Sequence, residues 1–297
     1  MKVLRAVLFA LLIVCPSHAQ RDIQTLTLRL AATASDAVVP VSVWYDFVVP
    51  PQMSKQFDTL VVGTGFLIDR QGDFITAGHV IDSLNDLKNN PKITNARLTV
   101  AIRQRDGNSG AREFTITGRD YDHDLVLCHL PGVAAVTPDK SHVPKNISAT
   151  ARQPFASLSI SPGEPKTGEF VLVSGFPLGS WTPTVQFGMV AATRVLYPSG
   201  ITSPAIRKDR GDLLQISVDA NHGNSGGPVI DLGSGTVIGV LDQLVPAPLQ
   251  IGQQVLNPST FSASGIMLAV PAKWVEALLE KNHIKSQAVP AGKFVAW

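Results

Sequence analysis

Short runs of alternating or wholly apolar residues, each of strand length and each cut off by Gly, Pro, Asn or Asp, commit this 297-residue chain to a β architecture. They span 38–49, 60–68, 97–103, 113–117, 125–130, 170–174, 185–196, 213–218, 229–231, 236–241 and 265–270. β-Branched side chains are frequent in them, and such side chains suit a pleated, packed surface. A helical period stands out only near the end, where Pro271 suits a first helical position and Trp274, Val275, Leu278 and Leu279 share one face. An all-β double barrel or sandwich with a closing helix over 271–282 follows. The stretch 132–169 is rich in Pro, Ser, Thr and Lys without a period. It reads as the connection between a first β unit at about 38–131 and a second at 170–270.

The first 19 residues read as an export leader. Lys2 and Arg5 precede an unbroken apolar run over 6–14, and Ser17, His18 and Ala19 offer small residues for cleavage after Ala19. The run is too short to span a bilayer stably, so the expected location is the periplasm or the exterior, with no stable membrane span after cleavage. Residues 20–37 are left as an N-terminal arm and 284–297 as a tail.

Loss of Lys2 and Arg5 with the leader leaves the acidic and basic residues balanced at 23 each. A neutral chain lacks the broad basic footprint of a nucleic-acid binder. Cys15 departs with the leader and Cys128 remains alone in an apolar strand, which excludes an internal disulfide. Cys128 reads as a small core residue. No H-E-x-x-H or paired-cysteine pattern marks a metal site, and Gly63-Thr64-Gly65 lacks the helix that a dinucleotide site requires. No cofactor is called for.

The chemistry concentrates at Gly223-Asn224-Ser225-Gly226-Gly227-Pro228. A serine hydroxyl attacks only when a base removes its proton and donors receive the developing oxyanion. Glycines on both sides let the backbone turn sharply there, with the Gly223 and Ser225 amides as the donors. The same residues fit a G-x-S-x-G elbow, but an elbow needs a helix after the serine and its histidine downstream. Here Pro228–Asp231 reads as a strand, and the histidine downstream is His283, at the end of the terminal helix. The base therefore lies upstream, where Thr76-Ala77-Gly78-His79-Val80 presents His79 at the end of an apolar strand. Asp120, Asp122 and Asp124 compete for the orienting acid; Asp124, directly against Leu125–Leu127, is best placed for burial. A base that must be neutral predicts activity falling as pH drops through roughly 6 to 7.

Six motifs in order, G-T-G-F at 63–66, T-A-G-H-V at 76–80, D-L-V-L at 124–127, G-F-P-L-G at 175–179, G-N-S-G-G-P at 223–228 and G-I-M-L-A-V-P at 265–271, resemble the protease domain of Deg/HtrA-type, trypsin-like serine peptidases. The resemblance covers roughly 38 to 279. It implies two six-stranded antiparallel β-barrels with the site between them, and it lays the family's triad on His79, Asp124 and Ser225. It further implies a serine endopeptidase acting on unfolded or flexible polypeptide, with 241–243 bordering the cleft, so that Leu241 and Asp242 are expected at the substrate. Asp219 stands six residues before Ser225, the offset at which trypsins carry their specificity aspartate; it reads either as an S1 residue selecting Lys or Arg or as a structural aspartate of its loop. Family members with a PDZ domain continue past the final helix, so no PDZ-type peptide sensing is expected. The alternative on the same fold is a latent or non-catalytic peptide-binding, chaperone-like protein. Oligomeric state is not legible.

Overall fold

The computed structural model describes residues 23–49, 54–103, 109–131, 156–161, 163–195, 212–247, 250–251, 254–255 and 262–284. The expected leader, most of the connection and nearly all of the tail lie outside them. The chain opens with helix α1 (residues 23–37), where the sequence had left an arm of unassigned structure. Strands β1 (Val38–Val49), β2 (Ser54–Leu67) and β3 (Asp73–Ala77) follow, then α2 (Gly78–Lys88), β4 (Ile93–Arg103), β5 (Ser109–Arg112), β6 (Thr115–Asp120) and β7 (Leu125–His129). The second half holds β8 (Phe170–Gly175), a 3₁₀ turn at Pro177–Gly179, β9 (Thr184–Val195), β10 (Leu213–Ser217), β11 (Pro228–Asp231) and β12 (Val237–Ala247). A short pair, β13 (Gln250–Ile251) and β14 (Gln254–Val255), precedes β15 (Ser262–Pro271) and α3 (Ala272–Lys281).

Two β units result. The second is a closed six-stranded barrel in the order β10-β15-β12-β11-β8-β9. The first is a sheet in the order β5-β4-β1-β2-β3-β7-β6, with seven strands where six were expected. The extra one has a local cause. β5 pairs with β4 and β6 with β7, yet only Glu113 and Phe114 separate β5 from β6. One interrupted strand thus supplies both edges of the sheet and forces it to curl.

Alternation along the strands explains why several sequence runs were wholly apolar rather than half polar. In β7, Val126 and Cys128 pack inside the first unit with Phe74 and Val100, whereas Leu125 and Leu127 face the second. In β8, Val171 and Val173 fill the second barrel while Leu172 meets the inter-unit core. That shared core also takes Leu30 and Ala34 of α1 and Val275, Leu278 and Leu279 of α3. Burial pushes the Cys128 thiol far above its usual range, consistent with a packing role. The end of the connection is stitched to both units, since the Leu158 N–H donates to Leu67 O at 2.9 Å and the Val237 N–H to Ser159 O at 2.8 Å.

Candidate active site

The site forms where the two units face each other. β3 ends at Ala77 and α2 begins at Gly78, which puts His79 in the first turn of a helix that the sequence period did not disclose. Gly78 is required at this point, because a Cβ there would collide with Asp124 Oδ1. The Gly78 N–H donates to Asp124 O at 2.7 Å and the His79 N–H to Asp124 Oδ1 at 3.0 Å. The other carboxylate oxygen, Oδ2, lies 2.6 Å from His79 Nδ1. Asp124 is buried and adopts φ 53°, a left-handed conformation that aspartate tolerates better than most side chains.

The two competing aspartates have other places. Asp120 caps the turn, its Oδ1 accepting the Asp122 and His123 N–H groups and its Oδ2 standing 2.6 Å from His123 Nδ1. His123 in turn stacks on Trp274 of α3 with ring centroids 3.6 Å apart, so the terminal helix braces the turn that delivers Asp124. The Asp122 side chain is exposed.

Ser225 sits in a loop shaped from the first unit. Thr64 of β2 donates its N–H to Ser225 O at 2.8 Å and its hydroxyl to Gly223 O at 2.7 Å, while that hydroxyl accepts the Phe176 N–H at 3.0 Å. On the barrel side, the Gly226 N–H donates to Leu241 O at 2.7 Å and the Leu241 N–H to Gly227 O at 2.8 Å. Gly223 and Gly226 have φ of 98° and 83°, where a side chain is strained. β11 follows the serine, as the sequence reading required when it set the elbow aside. Among the described residues, neither the Gly223 nor the Ser225 N–H donates to an acceptor. Both remain available to a negatively charged oxygen.

The Gly226 geometry gives a stability prediction. A Cβ there would collide with Thr64 O and lie 2.5 Å from Thr76 Oγ1 and 2.8 Å from Ala77 N. Left-handed backbone and overpacking together should make Gly226→Ala cost about 3 kcal/mol in urea unfolding. An unchanged midpoint would mean that the loop is not clamped between the units.

Among the described residues, no hydrogen bond joins Ser225 to His79; the Ser225 hydroxyl donates to the Asp242 carbonyl at 3.1 Å. Asp242 is itself buried, with Oδ1 3.7 Å from His79 Nδ1. Burial alone would lower the His79 pKa, but the hydrogen bond and charge of Asp124, followed by the charges of Asp242 and Asp82, outweigh it and raise the pKa above its ordinary value. The ring therefore keeps its second proton to a higher pH than an ordinary histidine does.

His79, Asp124, Ser225, Gly223 and Asp242 thus come together. The Leu241 side chain packs inside the second barrel, leaving only its backbone at the site, and the Asp219 side chain is exposed. Sequence reasoning missed Thr64 as the organiser of the loop that carries Ser225. The available signal was a hydroxyl residue between two glycines, where a Cβ at Gly63 would press on Val80 and one at Gly65 on Phe74.

The family model described as "Trypsin-like peptidase domain" matches residues 63–240. Among curated proteins the chain is similar to "Serine protease HTRA4" of Mus musculus, 29% identical over 221 residues that cover 74% of this chain and 34% of that one. It is also similar to "Probable periplasmic serine endoprotease DegP-like" of Marinomonas sp. (strain MWYL1), 29% identical over 202 residues, 66% of this chain and 32% of the relative. The chain spans about a third of the length of these relatives. The solved structure "HtrA-type protease AlgW with decapeptide" shares the fold, with a TM-score of 0.55 at 19% identity over 86% of this chain and 66% of that one. With the match running from β2 to β12, through both His79 and Ser225 and over more than half of the chain, the chain belongs to the trypsin-like peptidase domain family.

Proposed function

We propose that the protein is a serine endopeptidase that cleaves unfolded or flexible polypeptide through an acyl-enzyme. The observation that carries this reading is the two-point grip of Asp124 on His79, through the backbone N–H and through Nδ1. A ring held at Nδ1 keeps its proton there and leaves Nε2 free to accept another. Ser225 Oγ turns from the Asp242 carbonyl, passes its proton to His79 Nε2 and bonds to the scissile carbonyl carbon. The carbonyl oxygen becomes an oxyanion facing the Gly223 and Ser225 amides, a contribution usually worth about 3 kcal/mol per donor. His79 then protonates the departing amine as the C–N bond breaks, and water, deprotonated by the same ring, releases the acid and restores Ser225.

An exported location accords with the leader-like residues 1–19, and no described helix is long and apolar enough to cross a membrane. A latent form is a second reading, favoured by the rest position of the Ser225 hydroxyl on Asp242. Purified protein incubated with unfolded casein should release internally cut peptides. A phosphonate that mimics the tetrahedral intermediate should add its mass to Ser225. The residues at the cut bonds would report whether Asp219 selects Lys or Arg. Intact casein and an unlabelled Ser225 would discard a constitutively active peptidase and leave the latent form or a peptide-binding protein.

A further inference from the structure

Beside the triad stands a second buried carboxylate that the mechanism above does not use. The register of β12 against β15 shifts between Leu241 and Gln243, opposite Ala269 and Leu268, so Asp242 is the extra residue of a β-bulge. Bulges re-aim side chains, and this one turns Asp242 out of the barrel and toward the cleft. Its carbonyl accepts the nucleophile's hydroxyl at 3.1 Å and its Oδ1 stands 3.7 Å from His79 Nδ1. One ring nitrogen of His79 and one carboxylate oxygen each of Asp124 and Asp242 all lie within 4.8 Å of one another. One residue therefore touches the nucleophile through its backbone and the base through its side chain.

Resting on the serine-peptidase reading, we infer that Asp242 is a positioning residue whose charge holds the His79 imidazolium jointly with Asp124 and sets the acid limit of activity. A carboxylate within about 4 Å of an imidazole favours its protonated form. The charged groups around the ring come from four elements: Asp124 from the turn before β7, Asp242 from β12, Asp82 from α2 itself and Arg119 from β6. Arg119 pairs with Asp82 and also reaches the Gly78 carbonyl at 3.5 Å. With Asp82 answered in this way, the negative charge acting on the ring comes chiefly from Asp124 and Asp242. The direction of the His79 shift, to which Asp242 contributes, agrees.

The sign follows directly. His79 must be neutral to accept a proton, so a raised pKa moves the rise of kcat/KM with pH above the ordinary histidine value of about 6.5. Asp242→Asn retains the shape and the backbone carbonyl and removes only the charge. It should move the midpoint down by about one unit and lower the plateau kcat by up to about tenfold, with KM unchanged. The test uses the full protein in native form and as Asp242→Asn and Asp242→Ser, each also in a Ser225→Ala background that prevents self-digestion. The His79 ring is titrated by NMR, and kcat/KM is followed on casein peptides across pH.

A midpoint lowered in either folded variant, in both titration and rate, supports the inference. An unmoved ring titration overturns it, since an Asp242 that held its own proton and paired with Asp124 would lend the ring no charge. The ring titration does not depend on turnover. A ring midpoint lowered in the variants, when the native protein never cuts casein, would sink the peptidase reading alone and leave the charge pairing standing.

Discussion

Replacing Ser225 with alanine is expected to lower kcat on unfolded casein by about 10⁶-fold, the loss seen when the nucleophile of a Ser-His-Asp hydrolase is removed. That corresponds to roughly 8 kcal/mol of transition-state stabilisation. The residual rate would come from the Gly223 and Ser225 backbone donors and from substrate binding, which the substitution leaves in place. Stability should hardly change. Among the described residues the hydroxyl makes one hydrogen bond, to the Asp242 carbonyl, worth about 1 kcal/mol, and the loop is held by backbone contacts that alanine preserves. Kinetics on casein with a parallel thermal melt would check both halves. Activity above about a hundredth of native would move the nucleophile to another residue. A melt that fell together with the activity would mean that the loss reports unfolding. Gly226→Ala should show that second pattern, which makes the two substitutions a controlled pair.

Asp124→Asn is expected to reduce kcat by about 10⁴-fold with the fold intact. Asparagine accepts the left-handed backbone seen at this position as readily as aspartate does, and its carbonyl can still take the His79 N–H. Its amide, however, donates toward Nδ1 where the carboxylate accepts. The ring must then carry its proton on Nε2, the nitrogen that has to receive one from Ser225. The loss should appear in kcat with KM nearly constant. A drop confined to KM would assign Asp124 to substrate binding and contradict its role beside the base.

Much of this arrangement is visible in the chain before any coordinates. β8 and β11 stand within about a residue of where alternation and turn residues set them, because those strands bury both faces and the pattern has no competitor. α2 was hidden: its 11 residues carry only three buried positions, Gly78, Val80 and Ile81, too few to set a period, and its start is fixed by tertiary contact with Asp124. α1 was hidden for another reason, since Leu30, Ala34 and Ala37 make a narrow stripe of mostly small residues. The meeting of His79 with Asp124 was legible from local motifs, and the cleft-side place of Asp242 from the resemblance. The hold of Thr64 on the Ser225 loop and the approach of the Asp242 carboxylate to His79 were not, because each joins residues far apart in sequence, and a bulge that re-aims one side chain leaves no periodic trace.

The loop that carries Ser225 depends on Thr64, a residue of the opposite unit, for its shape. Synthesis runs from the N-terminus, so Thr64, His79 and Asp124 are made well before the serine that they serve. On the peptidase reading, a chain caught part-way, or one whose halves have come apart, would hold base and nucleophile on separate bodies, with the Ser225 loop deprived of the Thr64 contacts that shape it. The capacity to cut protein would then arrive only when the two units join.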